Sequence, residues 1–206
     1  MSTVPARLLS EEEYLARERQ AAFKSEYDRG QTFAMAGASR EHNVIAHNLS
    51  RHLGNQLAGR GCDVYQSDMK VRVRATGRYA YPDVAIVCGQ RQFADESRDV
   101  LLNPTCLVEV LSESTANYDR GAKASDYRLL DSLREFLIVA QDQPLIDHYI
   151  RRDEDTWTVT RIEGTGGTIE LSSLGCRLPL AAVFENIEFP PHPRPLLRVA
   201  DEELTD

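Results

Sequence analysis

Two carboxylates interrupt otherwise apolar stretches of the sequence and are the first candidates for chemistry. Asp83 lies within YPDVAIV and Glu109 lies within CLVEVL, and both stretches are typical of buried strands. A buried carboxylate is costly unless a metal ion, an arginine or a capped backbone pairs with it. On neighbouring strands the two acids would form a Mg²⁺ site with positions open to water and phosphate. Solvated or salt-bridged acids at a strand edge are the alternative interpretation.

A row of cations is the second candidate. Lys70, Arg72 and Arg74 alternate with apolar residues in MKVRVRA, a pattern typical of a half-buried strand. Alternate residues of a strand share one face at about 6.6–6.8 Å spacing, which is comparable to the spacing of phosphates along a nucleic-acid strand. The row therefore predicts nucleic-acid binding, and a solvated outer face of the sheet is the alternative.

Composition bounds the class of protein. The 206 residues are 42% hydrophobic and 27% charged, as expected for one globular domain, and 24 Lys and Arg against 32 Asp and Glu give a net charge of −8. A large basic nucleic-acid surface would usually bring the pI above about 9. The four cysteines form no C-x-x-C pair, which favours reduced thiols over a zinc site or a disulfide scaffold. We find no signal peptide or membrane-spanning run and predict a soluble, cytoplasmic protein without a membrane partner.

The elements that must position these residues follow from local patterns. Ser10 and Glu13 form a capping box that predicts a helix over 11–20, and Ser39 caps a longer second helix. A hairpin precedes that second helix. The remaining predicted elements are several strands, a helix over 117–130, a terminal β-meander and a short closing helix. Residues 1–189 are therefore predicted to form a single mixed α/β (α+β) domain around a central sheet, and 190–206 a disordered Pro-rich and acidic tail.

The ordered blocks of the sequence resemble the Uma-two family of bacterial restriction endonucleases. The resemblance is carried by YPDVAIVC, NPTCLVEVLSESTANYDRGAK and DSLREFLIVAQD, and it extends through SEYDRGQTFAMAG, the EHNVIAHNLSRHL helix and ELSSLGCRLPLAAVFENI. The blocks span about 8–189. The resemblance implies the PD-(D/E)XK nuclease superfamily, with a restriction-endonuclease-like central mixed sheet flanked by helices. Pro82 and Asp83 supply the PD and Glu109 the acidic position.

The resemblance also implies roles for further residues. Leu111 occupies the position where the superfamily has its lysine, so the lysine is expected to have migrated to Lys123 on the next helix. Glu26 lies in a shared block and is expected to complete the metal shell or orient a water. The Val110 carbonyl is a further expected metal ligand. The alternatives are a surface lysine and a solvent-facing glutamate.

His42, one turn into the second helix, is an accessory candidate that could contact a phosphate or position a water; a structural histidine is the alternative.

The predicted function is hydrolysis of phosphodiester bonds by a Mg²⁺-dependent endonuclease, with Mn²⁺ as a substitute and DNA as the substrate. Asp83, Glu109 and Lys123 are the expected catalytic residues. A homodimer is expected because cutting both strands of a duplex favours two related sites. The alternatives are a catalytically silent relative that binds nucleic acid or a protein, and a metal enzyme acting on a small phosphorylated substrate.

Overall fold

A computed structural model describes residues 8–111 and 119–189, with side chains from 121 onward in the second range. The elements in chain order are α1 (Glu11–Glu18), β1 (Ser25–Asp28), β2 (Gln31–Ala34), α2 (Arg40–Leu57), β3 (Cys62–Gln66), β4 (Lys70–Val73), β5 (Arg78–Ala80), β6 (Val84–Cys88), β7 (Val100–Leu101), β8 (Cys106–Leu111), a π-helical turn (Asp119–Lys123) continuing into α3 (Ala124–Tyr127), β9 (Glu135–Ala140), β10 (Leu145–Arg151), β11 (Trp157–Glu163), β12 (Thr168–Leu171), β13 (Cys176–Pro179) and α4 (Leu180–Val183).

A six-stranded mixed sheet in the order β11-β10-β9-β8-β6-β3 forms the centre of the fold. Its β8 and β9 are parallel, and its other neighbours are antiparallel. One face is covered by α2, which buries Ile45, Leu49, Leu53 and Leu57 almost completely. The helical spacing of those residues in the sequence therefore marks the helix face that contacts the sheet.

A second, five-stranded sheet in the order β2-β1-β5-β4-β7 packs against the other side of the centre. Val71 and Val73 of this sheet share a buried cluster with Leu107 and Phe136 of the six-stranded sheet. On its other face, Tyr14 of α1 contacts Tyr27 and Tyr79. The sequence predicted one central sheet, whereas the strands around residues 25–34 and 70–80 form a sheet of their own.

The local helix signals are confirmed, while several predicted bounds were too long. The Ser10 side chain accepts a hydrogen bond from the Glu13 amide at 3.1 Å, and Ser39 caps α2 through the His42 amide at 3.1 Å. The predicted helix over 117–130 consists of the π-helical turn and α3, and its first residues lie outside the described part. Strands β9, β10 and β11 form a meander, whereas β12 pairs with β13 and not with β11. The predicted tail over 190–206 lies outside the described residues.

The cysteines differ from expectation. Cys62 of β3 and Cys88 of β6 are register partners and form a disulfide, while Cys106 and Cys176 are free and buried. The prediction of four reduced thiols is therefore wrong for the first pair, because only the register of two strands brings these distant positions together. Disulfides are rare in cytosolic proteins, so cysteine usage no longer supports a cytoplasmic location. None of the helices in the described ranges is long and apolar enough to cross a membrane.

A buried arginine joins the five-stranded sheet to α3. Arg78 of β5 is 1% exposed, and its guanidinium donates to Asp126 of α3 and to Asp28 of β1, the latter at 2.8 Å. Charges withdrawn from water need such partners, because an unpaired buried carboxylate is strongly destabilising. This ion pair fixes the helix that follows Lys123 against the hairpin that carries Glu26.

We predict that Arg78→Leu lowers the free energy of unfolding by about 3–5 kcal/mol, because it leaves the Asp126 carboxylate buried without its cation. Urea unfolding followed by circular dichroism measures the change. Arg177→Leu is the matched control, because Arg177 pairs with Glu170 on the surface and such pairs contribute about 0–1 kcal/mol. Equal stability of the two variants would contradict the structural role of Arg78.

Candidate active site

The two acids predicted from the sequence lie side by side on neighbouring strands. The antiparallel register pairs Val84, the first residue of β6, with Val108, so Asp83 directly precedes β6 and Glu109 directly follows its register partner on β8. The Val110 amide donates to Asp83 Oδ2 at 2.7 Å, so the β8 backbone holds the Asp83 carboxylate. The Asp83 side chain is 14% exposed and the Glu109 side chain 7%, which leaves Asp83 nearer to solvent.

Lys123 reaches this pair of strands from the π-helical turn. Its Nζ lies 3.0 Å from Glu109 Oε1 and 2.9 Å from Glu26 Oε1. The side chain is only 5% exposed, so the alternative of a surface lysine does not hold. Lys123 thus contacts Glu109, and its role as the displaced lysine of the superfamily stays a prediction.

Tyr127 is a site residue that the sequence reasoning missed. It lies one helical turn after Lys123, and its hydroxyl donates to Glu109 Oε1 at 2.6 Å. Burial, reinforced by the charge of Glu109, raises the pKa of Tyr127 well above its ordinary value, so the hydroxyl keeps its proton. The only sequence signal was the four-residue spacing from Lys123, which places both side chains on one helix face.

Glu26 enters the site from β1 of the other sheet. Its Oε1 accepts from the Tyr81 amide at 3.1 Å in addition to Lys123. The residue is 6% exposed, so the alternative of a solvent-facing strand glutamate is wrong. Tyr81 directly precedes Pro82 and Asp83, so the same backbone segment positions Glu26 and Asp83.

His42 lies beside Asp83. Its Nε2 is 3.3 Å from Asp83 Oδ2, and its side chain is 15% exposed. The Ser39 cap fixes the first turn of α2 and thereby the position of this imidazole. His42 is therefore close enough to orient the Asp83 carboxylate or to exchange a proton with it.

Comparisons with known proteins connect this geometry to a family. The model of the family described as "Uma2: Putative restriction endonuclease" matches residues 11–181. This span includes all of the site residues described above, namely Glu26, His42, Asp83, Glu109, Lys123 and Tyr127. The chain belongs to the Uma2 family. The resemblance found in the sequence is therefore confirmed.

Two relatives and one solved structure show how widely the similarity extends. The Synechocystis protein sll1609 is 35% identical over 84% of this Uma2 chain and 97% of its own length, and slr1290 of the same organism is 34% identical over 91% and 97%. Both are described as uncharacterized proteins. A crystal structure from Anabaena variabilis, described as "a putative nuclease belonging to DUF820", matches with a TM-score of 0.70 at 14% identity, over 85% of this chain and 97% of that one. The mixed α+β nuclease fold predicted from the sequence is confirmed.

The donor groups of this Uma2 protein fit a divalent cation held by few protein ligands. Within the described residues, no group of three or more His, Cys, Asp or Glu side chains is arranged to hold a metal. Mg²⁺ is nevertheless commonly held by one or two carboxylates, with waters and phosphate completing its shell. Asp83 and Glu109 match that requirement, whereas Lys123 lies between Glu109 and Glu26. Ligation by Glu26 and by the Val110 carbonyl remains a prediction.

The predicted row of cations does not form a solvent-facing strip, since β4 ends at Val73 and Arg74 lies in the turn after it. Lys70 is 5% exposed, and its Nζ lies 2.9 Å from Asp99. Arg72 lies 2.9 Å from Glu11 of α1, and Arg74 is exposed. The face that carries the row is covered by α1 and the segment before β7, so the expectation of three phosphate contacts is wrong for Lys70.

We predict that Lys123→Met lowers the free energy of unfolding in EDTA by about 3–5 kcal/mol, because Glu26 and Glu109 lose their shared buried cation. Adding Glu109→Gln to this variant should restore part of the loss, since one of the two charges is then removed. Urea titrations of both variants measure the effect.

Arg177→Met is the matched control, because Arg177 pairs with the exposed Glu170 and its loss should cost about 1 kcal/mol or less. A Lys123→Met variant as stable as this control would show that the lysine does not compensate the two acids.

Proposed function

We propose that this Uma2 protein is a divalent-cation-dependent endonuclease that hydrolyses phosphodiester bonds in DNA. One observation carries the proposal: a buried lysine contacts Glu109 of β8, and the amide of the next residue, Val110, donates to Asp83. Two carboxylates and an ammonium group at adjoining strand ends are the groups needed to hold a cation and to compensate charge on a phosphate. Membership of the Uma2 family supports nuclease activity.

In this proposal Asp83 and Glu109 hold Mg²⁺, with Mn²⁺ as a substitute. A cation bound there would lower the pKa of a coordinated water and polarise the phosphate. Lys123 compensates the negative charge that develops on the phosphate oxygens in the transition state. The Glu26 carboxylate also contacts the ammonium and holds Lys123 at the acidic pair.

His42 and Tyr127 orient the two carboxylates. Tyr127 donates to Glu109, and His42 lies within hydrogen-bonding reach of Asp83. Outer groups of this kind typically change metal affinity or activity about 10–100-fold when they are removed. Both positions therefore serve the proposed reaction through the acids that they contact. We further propose a homodimer, in which two related sites cut the two strands of a duplex.

A catalytically silent relative is the second candidate, and one contact favours it. Lys123 already compensates both Glu26 and Glu109, so the same cluster could act as a structural ion pair alone. Such a protein would bind nucleic acid or a protein without cleaving it. A cleavage assay on plasmid DNA, single-stranded DNA and RNA, with Mg²⁺ and then Mn²⁺, separates the two candidates.

We predict that Mn²⁺ raises the melting temperature of the wild type and does not raise that of Asp83→Asn or Glu109→Gln. A ligand that binds only the folded chain stabilises it by RT ln(1 + [L]/Kd), which is about 2.7 kcal/mol at a hundredfold excess over Kd. Paired melting curves in EDTA and in Mn²⁺ measure the difference.

The EDTA curves are the internal control, because the folded apo-protein must be present in all three samples. The opposite outcome is a wild type whose melting temperature does not change with Mn²⁺ and acid variants whose melting temperature in EDTA is below that of the wild type. It would identify Asp83 and Glu109 as structural partners and would remove the basis of the nuclease proposal.

We predict that His42→Ala slows cleavage about tenfold or more while leaving the melting temperature in EDTA nearly unchanged, because the imidazole orients Asp83 and contributes little to the core. His47→Ala is the matched control on the same helix, at an exposed position. Initial rates on a labelled oligonucleotide are compared. Equal rates for the two variants would assign His42 no part in the reaction.

A further inference from the structure

Tyr81 is a buried tyrosine whose hydroxyl is held by charged side chains of two other elements. The hydroxyl donates to Glu18 Oε1 of α1 at 2.9 Å and accepts from Lys70 Nζ of β4 at 3.3 Å. All three residues are buried, with no more than 8% of their surface exposed. Burial, together with the hydrogen bond to Glu18, raises the pKa of Tyr81 above its ordinary value, so the hydroxyl keeps its proton and remains a donor.

The two partners of this hydroxyl have further polar contacts of their own. Glu18 also accepts from the Ser25 amide at 2.8 Å and from the Ser25 hydroxyl at 2.6 Å. Lys70 Nζ lies 2.9 Å from Asp99. A buried polar network whose members are satisfied is rigid and favours one arrangement. The Tyr81 side chain is therefore fixed between α1 and the five-stranded sheet.

The backbone of Tyr81 belongs to the candidate active site. Its amide donates to Glu26 Oε1 at 3.1 Å, and the same oxygen lies 2.9 Å from Lys123 Nζ. Only Pro82 separates Tyr81 from Asp83, and a proline ring fixes its own φ torsion at about −65°. A displacement of Tyr81 is therefore passed to Glu26 through a hydrogen bond and to Asp83 through a short, restricted piece of backbone.

We propose that Tyr81 and Glu18 are positioning residues of the metal site, and that the bond between them fixes the backbone segment that sets Asp83 and Glu26. The inference rests on the proposed function, because it takes Asp83 as a ligand of the cation. The helix α1 then supports the site in addition to packing on the five-stranded sheet. Groups that orient metal ligands typically change metal affinity or activity about 10–100-fold when they are removed.

Tyr79→Phe is the matched control for Tyr81→Phe. Tyr79 lies two residues earlier in the chain, is equally buried, and its hydroxyl donates to Glu11 Oε2 of α1 at 2.8 Å. Each substitution therefore removes one buried hydroxyl that bonds a glutamate of the same helix, and the two should lower stability to a similar extent. Only Tyr81 adjoins the segment that carries Asp83.

The first measurement is amide hydrogen exchange of the full chain in EDTA, followed by NMR. We expect Tyr81→Phe to speed exchange of the amide at position 81 and of the Val110 amide about tenfold, since these amides donate to Glu26 and Asp83 and one anchoring hydrogen bond is lost. Tyr79→Phe should leave both amides as protected as in the wild type.

The second measurement is Mn²⁺ affinity, from the electron paramagnetic resonance signal of free Mn²⁺, together with cleavage kinetics on DNA. We expect Tyr81→Phe to weaken Mn²⁺ binding and to lower kcat, each about tenfold, with KM nearly unchanged. Glu18→Ala should reproduce this loss. Glu18→Gln should rescue most of it, because the amide oxygen of glutamine still accepts from the Tyr81 hydroxyl.

Unchanged exchange in Tyr81→Phe, or changes in exchange, Mn²⁺ affinity and kcat equal to those of Tyr79→Phe, would overturn the positioning role. Its failure is distinguishable from failure of the proposed function. A wild type that neither binds Mn²⁺ nor cleaves DNA, with faster exchange in Tyr81→Phe alone, would end the nuclease proposal and leave Tyr81 as the residue that positions Asp83. Metal-dependent cleavage that is the same for the wild type and Tyr81→Phe would do the reverse.

Discussion

The buried ammonium of Lys123 is the interaction on which the rest of the structure depends. It contacts Glu109 of the six-stranded sheet and Glu26 of the five-stranded sheet, and it is itself delivered by the turn before α3. Each of these charges would be costly to bury alone, so the three positions are stable only together. The groups proposed for chemistry are therefore also groups that connect the two sheets through their interior strands β1 and β8.

A second buried cation repeats this arrangement on the same elements. Arg78 joins Asp28 at the end of β1 to Asp126 of α3. The hairpin and the helical segment are therefore connected by two buried cations, Lys123 and Arg78. The apolar contacts of the hairpin lie on its other face, where Tyr14, Tyr27 and Tyr79 meet. Because ion pairs require defined partners and distances, this junction has less freedom to shift than an apolar contact of similar size. A rigid junction is what a site shared by two sheets requires.

The sequence was sufficient to predict the acids and the local helix signals, and insufficient to predict their partners. Asp83 and Glu109 were recognisable because a carboxylate in an apolar strand needs a partner. Ser10 and Ser39 were recognisable because a helix cap depends only on residues a few positions apart in the sequence. Lys123 came from the family resemblance and not from spacing. Tyr127, Arg78 and the pairing of Cys62 with Cys88 depend on strand register and helix placement, which no local pattern contains. The same reason explains Lys70, whose alternation with apolar residues indicates a strand face but not the contact with Asp99 that buries its ammonium group.

The central claim is that Asp83 and Glu109 together hold a divalent cation beside Lys123. Anomalous diffraction from crystals of the wild-type chain soaked in Mn²⁺ tests it most directly. The account predicts a single strong peak about 2.1 Å from a carboxylate oxygen of each acid, with Lys123 close by. Absence of a peak at these acids, with Lys123 still between Glu26 and Glu109, would contradict it and would leave the cluster as a purely structural ion pair.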